Sequence, residues 1–576
     1  MADTLVIHPM HSAWLTFRRD GDYKSTVSFL NDNLIALTYL LSGEQIAYHF
    51  GSETVMRELG ASVTGNSISV GRCSYHTVIV PVCDTLDSNT AELLKQFKEN
   101  GGRIYTYKRH LPTRIDGRPA DLSFLDGCED ISDSAVFNEL KQSGDVVVTR
   151  AENATDRDIR MMVRKTEYGR LIYLTNLSDK EFRGIGVAVK NCDRLGKMRI
   201  DDLETFPLAG RKTAEGVEIL LDLFGGESAV LCEYDAPDFA PFVTSEASEL
   251  ITFNAPFTVN ELPLNMMTLD RAYLSKNGGE FTELRPMERI RDNLLRERFD
   301  GNITLAFPFD VRDIPSRLEV ITEPMSTDTV RVNGSDVKIG SEWAIDRSFR
   351  VTDIAPYVKK GENKIELSLR YWQRDYVYHV LYGGGTETLR NSLVFDTEIE
   401  NVYIRGNFAL DMKKDNFTAE DNNAYRYDPA LGMTLVKQKK DIDIRNVVTD
   451  GYPFYCGELS ATTVIDYKSG DPTALNLTGR YATAHIRVNG RAVDKGIFDQ
   501  YVDIKEYLRE GQNTLTVTLC NNYRNLFGPF HGQPAEPMSV GPKAFSMEKR
   551  WEGGRCPLYD GRYSFVRFGI DIQSNV

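Results

Sequence analysis

The chain has 576 residues, 41% of them hydrophobic and 26% charged, so it is an ordinary globular sequence too long for one core, and about three to five domains are expected. Its 68 basic and 83 acidic side chains give a net charge of −15, which argues against a nucleic-acid partner, since that would want a basic face, and suits a neutral ligand. No apolar run reaches the roughly 18 residues of a membrane span, and the eight cysteines lack Cys-x-x-Cys spacing, so reduced structural thiols are expected rather than a zinc site or a disulfide frame.

Residues 1–150 alternate strand and helix. Thr4-Leu5-Val6-Ile7 reads as a buried strand ending at His8-Pro9. Val27, Leu30, Leu34, Leu37 and Leu41 recur at helical spacing, with Gly43 as the stop. Val78-Ile79-Val80 is another apolar strand, Ser88 caps a helix carrying Leu93, Leu94 and Phe97, and Asn100-Gly101-Gly102 ends it before the strand 103–107. Apolar strands separated by helices predict a parallel sheet covered on both faces, a flavodoxin-like or amidotransferase-like doubly wound domain. The start, Met1-Ala2-Asp3-Thr4, has no basic region and no signal-type apolar core. Either the protein is cytoplasmic, or Met1 was added where a longer protein was cut.

From 151 to 240 the short strands 171–176, 186–189 and 229–232 predict a small antiparallel β-sandwich. Residues 241–299 read as a linker with a surface helix around Ile290, Leu294 and Leu295. The remainder holds an internal repeat. Arg331-Val332-Asn333-Gly334, Val351-Thr352-Asp353-Ile354, Tyr357 and Gly361-Glu362-Asn363 recur as Arg487-Val488-Asn489-Gly490, Tyr501-Val502-Asp503-Ile504, Tyr507 and Gly511-Gln512-Asn513. Asn-Gly predicts a tight hairpin turn, and the strands 364–369 and 514–519 alternate with period two, one face in a core and one in water. Two β-sandwiches, 300–390 and 391–576, are expected.

This pattern resembles the galactose-binding-like jelly rolls that serve as sugar-binding domains in family 2-type glycoside hydrolases. Arg524-Asn525-Leu526-Phe527-Gly528-Pro529-Phe530-His531, followed by Val540-Gly541-Pro542 and Phe545, is similar to a signature of the large multidomain bacterial glycoside hydrolases akin to family 106, the α-L-rhamnosidases. Gly51-Ser52-Glu53, Val70-Gly71, Tyr75-x-x-Val78, Pro81 and Gly101-Gly102 resemble the α/β domain that follows the catalytic barrel in those enzymes. The resemblance implies that this chain corresponds to the region C-terminal to the barrel, with the catalytic carboxylates elsewhere.

Glycoside hydrolysis needs two carboxylates at defined separation, and 83 acidic residues do not single out a pair. The catalytic residues are therefore left unassigned, and whether the chain is an enzyme stays open. Ligands of open α/β sheets bind at the carboxyl ends of the strands. There the sequence places His8, His11 and Trp14 after the first strand and Tyr48, His49, Ser52 and Glu53 after the second, read either as a sugar pocket or as inter-domain packing. Cys83 follows a buried strand, but Pro81-Val82-Cys83-Asp84 lacks the glycine of a nucleophile elbow. GxSxG, Walker, GxGxxG and His-Glu-x-x-His motifs are all missing.

Sugars offer C–H faces to aromatic rings and hydroxyls to planar polar groups. Two repeat-equivalent clusters have that mix: Trp372, Arg374, Tyr376 and His379 in the first, and Tyr523, Arg524, Asn525, His531 and Trp551 in the second. Each reads either as sugar contact or as core and interface. Asp415, Glu420 and Asp421 read as a solvated loop, with a structural calcium the other possibility; no other cofactor is expected. The expected protein is an accessory, sugar-recognising and barrel-bracing part of a glycoside hydrolase. The alternatives are a self-sufficient glycoside hydrolase with a site between the α/β domain and the sandwiches, or a non-catalytic assembly protein. Expected partners are a carbohydrate, and either a (β/α)8-barrel chain or domain or a second copy of the chain, with no nucleic acid and no membrane.

Overall fold

The computed structural model describes residues 2–18, 24–149, 154–155, 158–242, 249–253, 256–323, 328–420, 424–496, 499–535 and 551–571. Val540-Gly541-Pro542, Phe545 and Asp421 lie outside them. The chain is rich in β-sheet, with few helices, and divides into two compact units: Met1–Ser248 with Gly496–Gln500, and Glu249–Lys495 with Tyr501–Val576. Among the described residues no helix is long and apolar enough to cross a membrane.

The first unit opens with a five-stranded parallel sheet. Its strands are β1 (Thr4–Ile7), β2 (Tyr48–Gly51), β3 (Thr77–Val80), β4 (Arg103–Thr106) and β5 (Glu129–Asp130), in the spatial order β5-β4-β3-β1-β2. Five helices connect or flank them: α1 (Met10–Thr16), α2 (Lys24–Gly43), α3 (Glu53–Glu58), α4 (Ser88–Glu99) and α5 (Ser134–Ser143). The pleat sorts the side chains. Leu5, Ile7, Val78, Val80 and Ile104 pack against Met56, Leu93, Leu94 and Phe97 of α3 and α4. Val6, Ile79 and Tyr105 pack against Leu30, Leu37 and Leu41 of α2 and Phe137 and Leu140 of α5. Burial on both faces explains why β1 and β3 read as unbroken apolar runs.

After β1 the chain crosses to the α2 face, and after β3 to the α4 face. β1 and β3 are neighbours whose following helices α2 and α4 lie on opposite faces of the sheet, the topology that marks a crevice for ligands at the carboxyl edge of such sheets. The same unit continues into two antiparallel sheets. One joins 146–148, 182–190, 216–223 and 209–212; the other joins 159–166, 169–176, 228–232, 196–198 and 205–206. Their inward residues, among them Ile172, Leu174, Val187, Ile219 and Leu231, form one core.

In the second unit the repeat is a repeat of topology. Long strands Gly301–Val311 and Glu458–Tyr467 each pair with the Gly-x-Asn strands Gly361–Tyr371 and Gly511–Cys520. Those in turn pair with Thr329–Val332 and Thr483–Val488, which hairpin back through Asn-Gly. Asn333, Gly334, Asn489 and Gly490 all have positive φ, between 50° and 84°, as the tight hairpin turn demands. The hydrogen bonds are duplicated as well. Asn363 Nδ2 donates to the Lys359 and Gly361 carbonyls, each at 2.8 Å, and Asn513 Nδ2 to the Arg509 and Gly511 carbonyls at 2.7 and 2.9 Å. The Asn333 and Asn489 amides each reach the side-chain oxygen of the following asparagine at 2.8 Å.

Two stretches are used differently from what the sequence pattern suggests. Asn265–Leu269 and Arg271–Lys276, read as linker, are strands of the first sandwich, pairing with Val402–Gly406 and Gly301–Val311. Val402–Gly406 itself, read as opening the second sandwich, lies between Asn265–Leu269 and Leu318–Thr322. Asn265–Leu269 is buried on both faces, so it lacks the alternation that marks a strand in sequence. The helix α6 (Met287–Arg296) buries Met287, Ile290, Leu294 and Leu295 together with Asp292, and leaves Arg296 exposed. Among the described residues no sheet closes as an eight-stranded parallel barrel.

Candidate functional site

Three successive connections of the parallel sheet converge at the crevice between β1 and β3. The loop after β1 runs straight into α1 and presents His11. Glu53 opens α3 just after β2. Asp87 stands at the N-cap of α4, one residue before the Ser88 that the sequence suggests as the cap. An N-cap aspartate ordinarily accepts a hydrogen bond from its own helix, but the Asp87 carboxylate makes no such bond. One oxygen instead pairs with His11 Nδ1, and the other accepts from Arg57 Nη1 at 3.1 Å.

Glu53 completes the group. Its Oε1 lies 3.6 Å from His11 Nδ1, and its Oε2 accepts from the Asp87 backbone N–H at 2.6 Å. The Glu53 side chain is only 2% exposed. Burial is the first cause that raises its pKa above the usual carboxylate range, and the neighbouring Asp87 charge adds to it, against the Asp87 N–H hydrogen bond. On its other side the His11 ring meets Thr54, with Oγ1 3.4 Å from Nε2.

Trp14, one turn along α1 from His11, is 60% exposed, with its ring centroid 4.9 Å from that of His11. Beneath them the buried Ser12 hydroxyl accepts from the Asp84 and Thr85 N–H groups at 2.9 and 3.1 Å and so fixes α1 to the loop after β3. His110 Nε2 approaches Asp84 Oδ1 at 3.0 Å. Cys83 is buried, and that burial, followed by the charges of Glu53 and Asp84, drives its thiol far up, away from nucleophilic chemistry.

Of the candidates read from the sequence at this edge, His11, Trp14 and Glu53 come together. His49 does not join them: it lies in β2 and meets Tyr75 OH at 2.8 Å, whose own pKa is pushed up to about 12, first by burial. Asp87 and Arg57 carry no signal in the sequence that singles them out. This edge therefore brings together an exposed indole, two buried carboxylates, an imidazole and a guanidinium.

The other candidates lie in the second unit. Trp372 and Tyr376 are exposed, as is His379 on the helix α7 (Asp375–Tyr382). Arg374 is held by Asp396, whose carboxylate accepts from its N–H at 2.8 Å and from Nε at 2.7 Å. Tyr523 is exposed, and Arg524 is half-buried. Asn525 is buried, with its amide bonded to both backbone groups of Val566 at 2.7 and 2.8 Å. His531 is buried too, its Nε2 2.7 Å from Asp270 Oδ2 and its Nδ1 2.9 Å from the carbonyls of Asp560 and Arg562. Tyr563 donates to the other Asp270 oxygen. Burial opposes ionisation of Asp270, yet the His531 charge and these hydrogen bonds hold its carboxyl below the usual range. Trp551 is half-buried, its ring 4.8 Å from that of Tyr559. Asp415 and Glu420 are not part of the one group of metal-capable side chains found among the described residues, which is His11, Glu53 and Asp87.

A separate small pocket in the second unit is walled by Leu305, Leu367, Leu369, Ile399 and Val402. Glu323 and Glu400 also line it. Both carboxyls are raised in pKa, by burial first, with the Glu398 charge contributing to each.

No protein-family model and no curated protein sequence matches the chain. Solved structures that share part of its course include glycoside hydrolases. A rhamnosidase from Novosphingobium sp. PP1Y is 15% identical, over 63% of this chain and 36% of that one, with a TM-score of 0.29. An α-L-rhamnosidase from Streptomyces avermitilis, complexed with L-rhamnose, is 11% identical over the same shares, with a TM-score of 0.19. An exo-carrageenase GH42 from Bacteroides ovatus is 11% identical over 40% of this chain and 29% of that one, with a TM-score of 0.25. The chain thus spans about a third of the length of each of the two rhamnosidases.

Proposed function

We propose that this chain is the carbohydrate-recognising, accessory part of a glycoside hydrolase, and that the crevice at β1 and β3 receives a sugar. The observation that carries this reading is the placement of Trp14 beside His11, Glu53 and Asp87. An exposed indole offers a stacking face for sugar C–H groups, and buried carboxylates and an imidazole offer planar partners for hydroxyls. The site also lies where open α/β sheets take their ligands. In this reading the parallel sheet is a flavodoxin-like domain and the repeated sandwiches are galactose-binding-like jelly rolls. The sheet order β5-β4-β3-β1-β2 and the duplicated Asn-Gly and Gly-x-Asn topology support those assignments.

The barrel-bracing role is supported by exposed apolar side chains in the same unit: Leu15, Phe17, Phe29, Ile35 and Phe50. A catalytic (β/α)8 barrel is the partner we assign to them. A cytoplasmic location is supported by eight free cysteines. The test is equilibrium binding of neutral and uronic monosaccharides and oligosaccharides to the purified chain. Saturable binding that Trp14→Ala abolishes supports the reading, and no binding to any sugar in the panel removes it.

A self-sufficient hydrolase is the second reading, and the pocket lined by Glu323 and Glu400 favours it, because it brings two carboxyls to one place with both held above the usual carboxylate range by burial, and a glycosidase needs one of its two carboxyls kept protonated as the acid. Turnover of aryl glycosides that Glu400→Gln abolishes would establish it over the accessory role.

A further inference from the structure

We infer that His11, Glu53 and Asp87 form a binding site for one divalent transition-metal ion. The three donor atoms, one imidazole nitrogen and two carboxylate oxygens, all lie within 4.8 Å of one another. The His11 Nδ1 to Glu53 Oε1 separation of 3.6 Å is close to the roughly 3.4 Å between donors around a tetrahedral ion with bonds of about 2.1 Å.

One feature indicates that the group is built for a cation. Glu53 Oε1 is buried and accepts no hydrogen bond, although its side chain is almost wholly enclosed and is aimed at His11 Nδ1. A carboxylate oxygen left that way is strongly unfavourable unless something positive meets it. Asp87, at a helix N-cap, turns its carboxylate away from the helix it would otherwise stabilise and onto His11 Nδ1, and the two atoms must part to the spacing of metal donors for both to bind the ion.

The surroundings have the form of an outer shell. Arg57 holds the second Asp87 oxygen, the Asp87 N–H holds the second Glu53 oxygen, and Thr54 approaches the second His11 nitrogen. Each ligand is thereby oriented by a neighbour, on three connections anchored to one sheet. Binding replaces the His11–Asp87 pair by two metal bonds and gives the orphan Glu53 oxygen a partner. One nitrogen and two carboxylate oxygens suit Zn2+, Co2+ or Mn2+ better than the all-oxygen coordination of Ca2+ or Mg2+. Three protein ligands leave coordination positions for water or for a ligand hydroxyl. The inference does not depend on the carbohydrate reading, since it is tested with the metal alone.

The full chain, stripped with a chelator and dialysed, is titrated with Zn2+ against a chromophoric competitor and with Co2+ by visible absorption. The expected result is one equivalent of Zn2+, a Co2+ d–d band of a four- or five-coordinate site, and a rise in Tm on loading. Glu53→Gln, which keeps size and shape, and His11→Ala should each weaken Zn2+ by more than the tenfold to hundredfold that loss of an outer-shell partner brings. Both should remove the Tm rise while leaving the circular dichroism spectrum unchanged. Binding of no metal, or binding of equal strength in wild type and both variants, overturns the assignment. If a variant fails to fold, Arg57→Ala, at an exposed side chain, takes its place. Weakening by about tenfold supports the site, and no change counts against it.

Discussion

The two buried asparagines of the repeat provide the sharpest energetic test of the fold. The Asn513 side chain makes four hydrogen bonds: to the Arg509 and Gly511 carbonyls, from the Arg509 N–H, and from the Asn489 amide. Asn363 makes the same four with Lys359, Gly361 and Asn333. Both residues are at most 1% exposed, so water cannot replace what is removed. At about 1 kcal/mol net per bond, Asn363→Ala and Asn513→Ala should each destabilise its own loop by about 4 kcal/mol. Local opening should then become easier by about a thousandfold. Hydrogen exchange followed by mass spectrometry reads this directly on peptides covering 355–370 and 505–520. Each variant should lose protection in its own copy and retain it in the other, by matching amounts. Unchanged protection, or effects that differ by more than tenfold between the copies, would refute the claim that the duplicated bonds hold the two loops equivalently.

Glu227 is buried, and burial, partly offset by the Lys197 ion pair, lifts its pKa from 4.5 to about 7. A carboxyl whose folded pKa is raised binds its proton more tightly in the native state, so stability declines as pH rises from 4.5 through 7, by about 3 kcal/mol in all. Glu227→Gln should flatten that decline in a series of denaturation curves, and an unaltered pH profile would contradict it. A Cβ placed at Gly102 falls 2.3 Å from the Phe97 ring, so Gly102→Ala should destabilise the first unit by about 1–3 kcal/mol in a thermal melt. Phe97→Leu in the same chain should recover part of that loss. For the second pocket, Glu400→Gln tests hydrolysis and should leave sugar binding at the crevice untouched.

How much was legible in the sequence followed from how local each signal is. Asn333-Gly334 and Asn489-Gly490 specify their turns by backbone chemistry alone, and both pairs adopt the positive φ that the pattern requires. The apolar runs of β1 and β3 marked a sheet covered on both faces. Asn265–Leu269 escaped because a strand buried on both faces, carrying two methionines, has no period of two. Val402–Gly406 was legible as a strand, but its partners are 265–269 and 318–322, and pairing is not encoded in any short window. At the crevice, His11, Trp14 and Glu53 could be found because loops at strand ends are few. Asp87 could not, since it stands before an ordinary capping serine and meets His11 only through the order in which β1, β2 and β3 lie. Asn525 and His531 show the converse difficulty. A run of amides, aromatics and histidine has one composition whether it meets a sugar or, as here, the backbone of Val566 and the carboxylate of Asp270.

Whether the crevice is the sugar site is decided by titrating a sugar panel against wild type, Trp14→Ala and Trp372→Ala side by side, since the two tryptophans lie in different units. A saturable ligand should emerge from the panel, lost in Trp14→Ala and kept in Trp372→Ala. Equal binding by wild type and Trp14→Ala, or loss in Trp372→Ala alone, would move the recognition site away from the crevice.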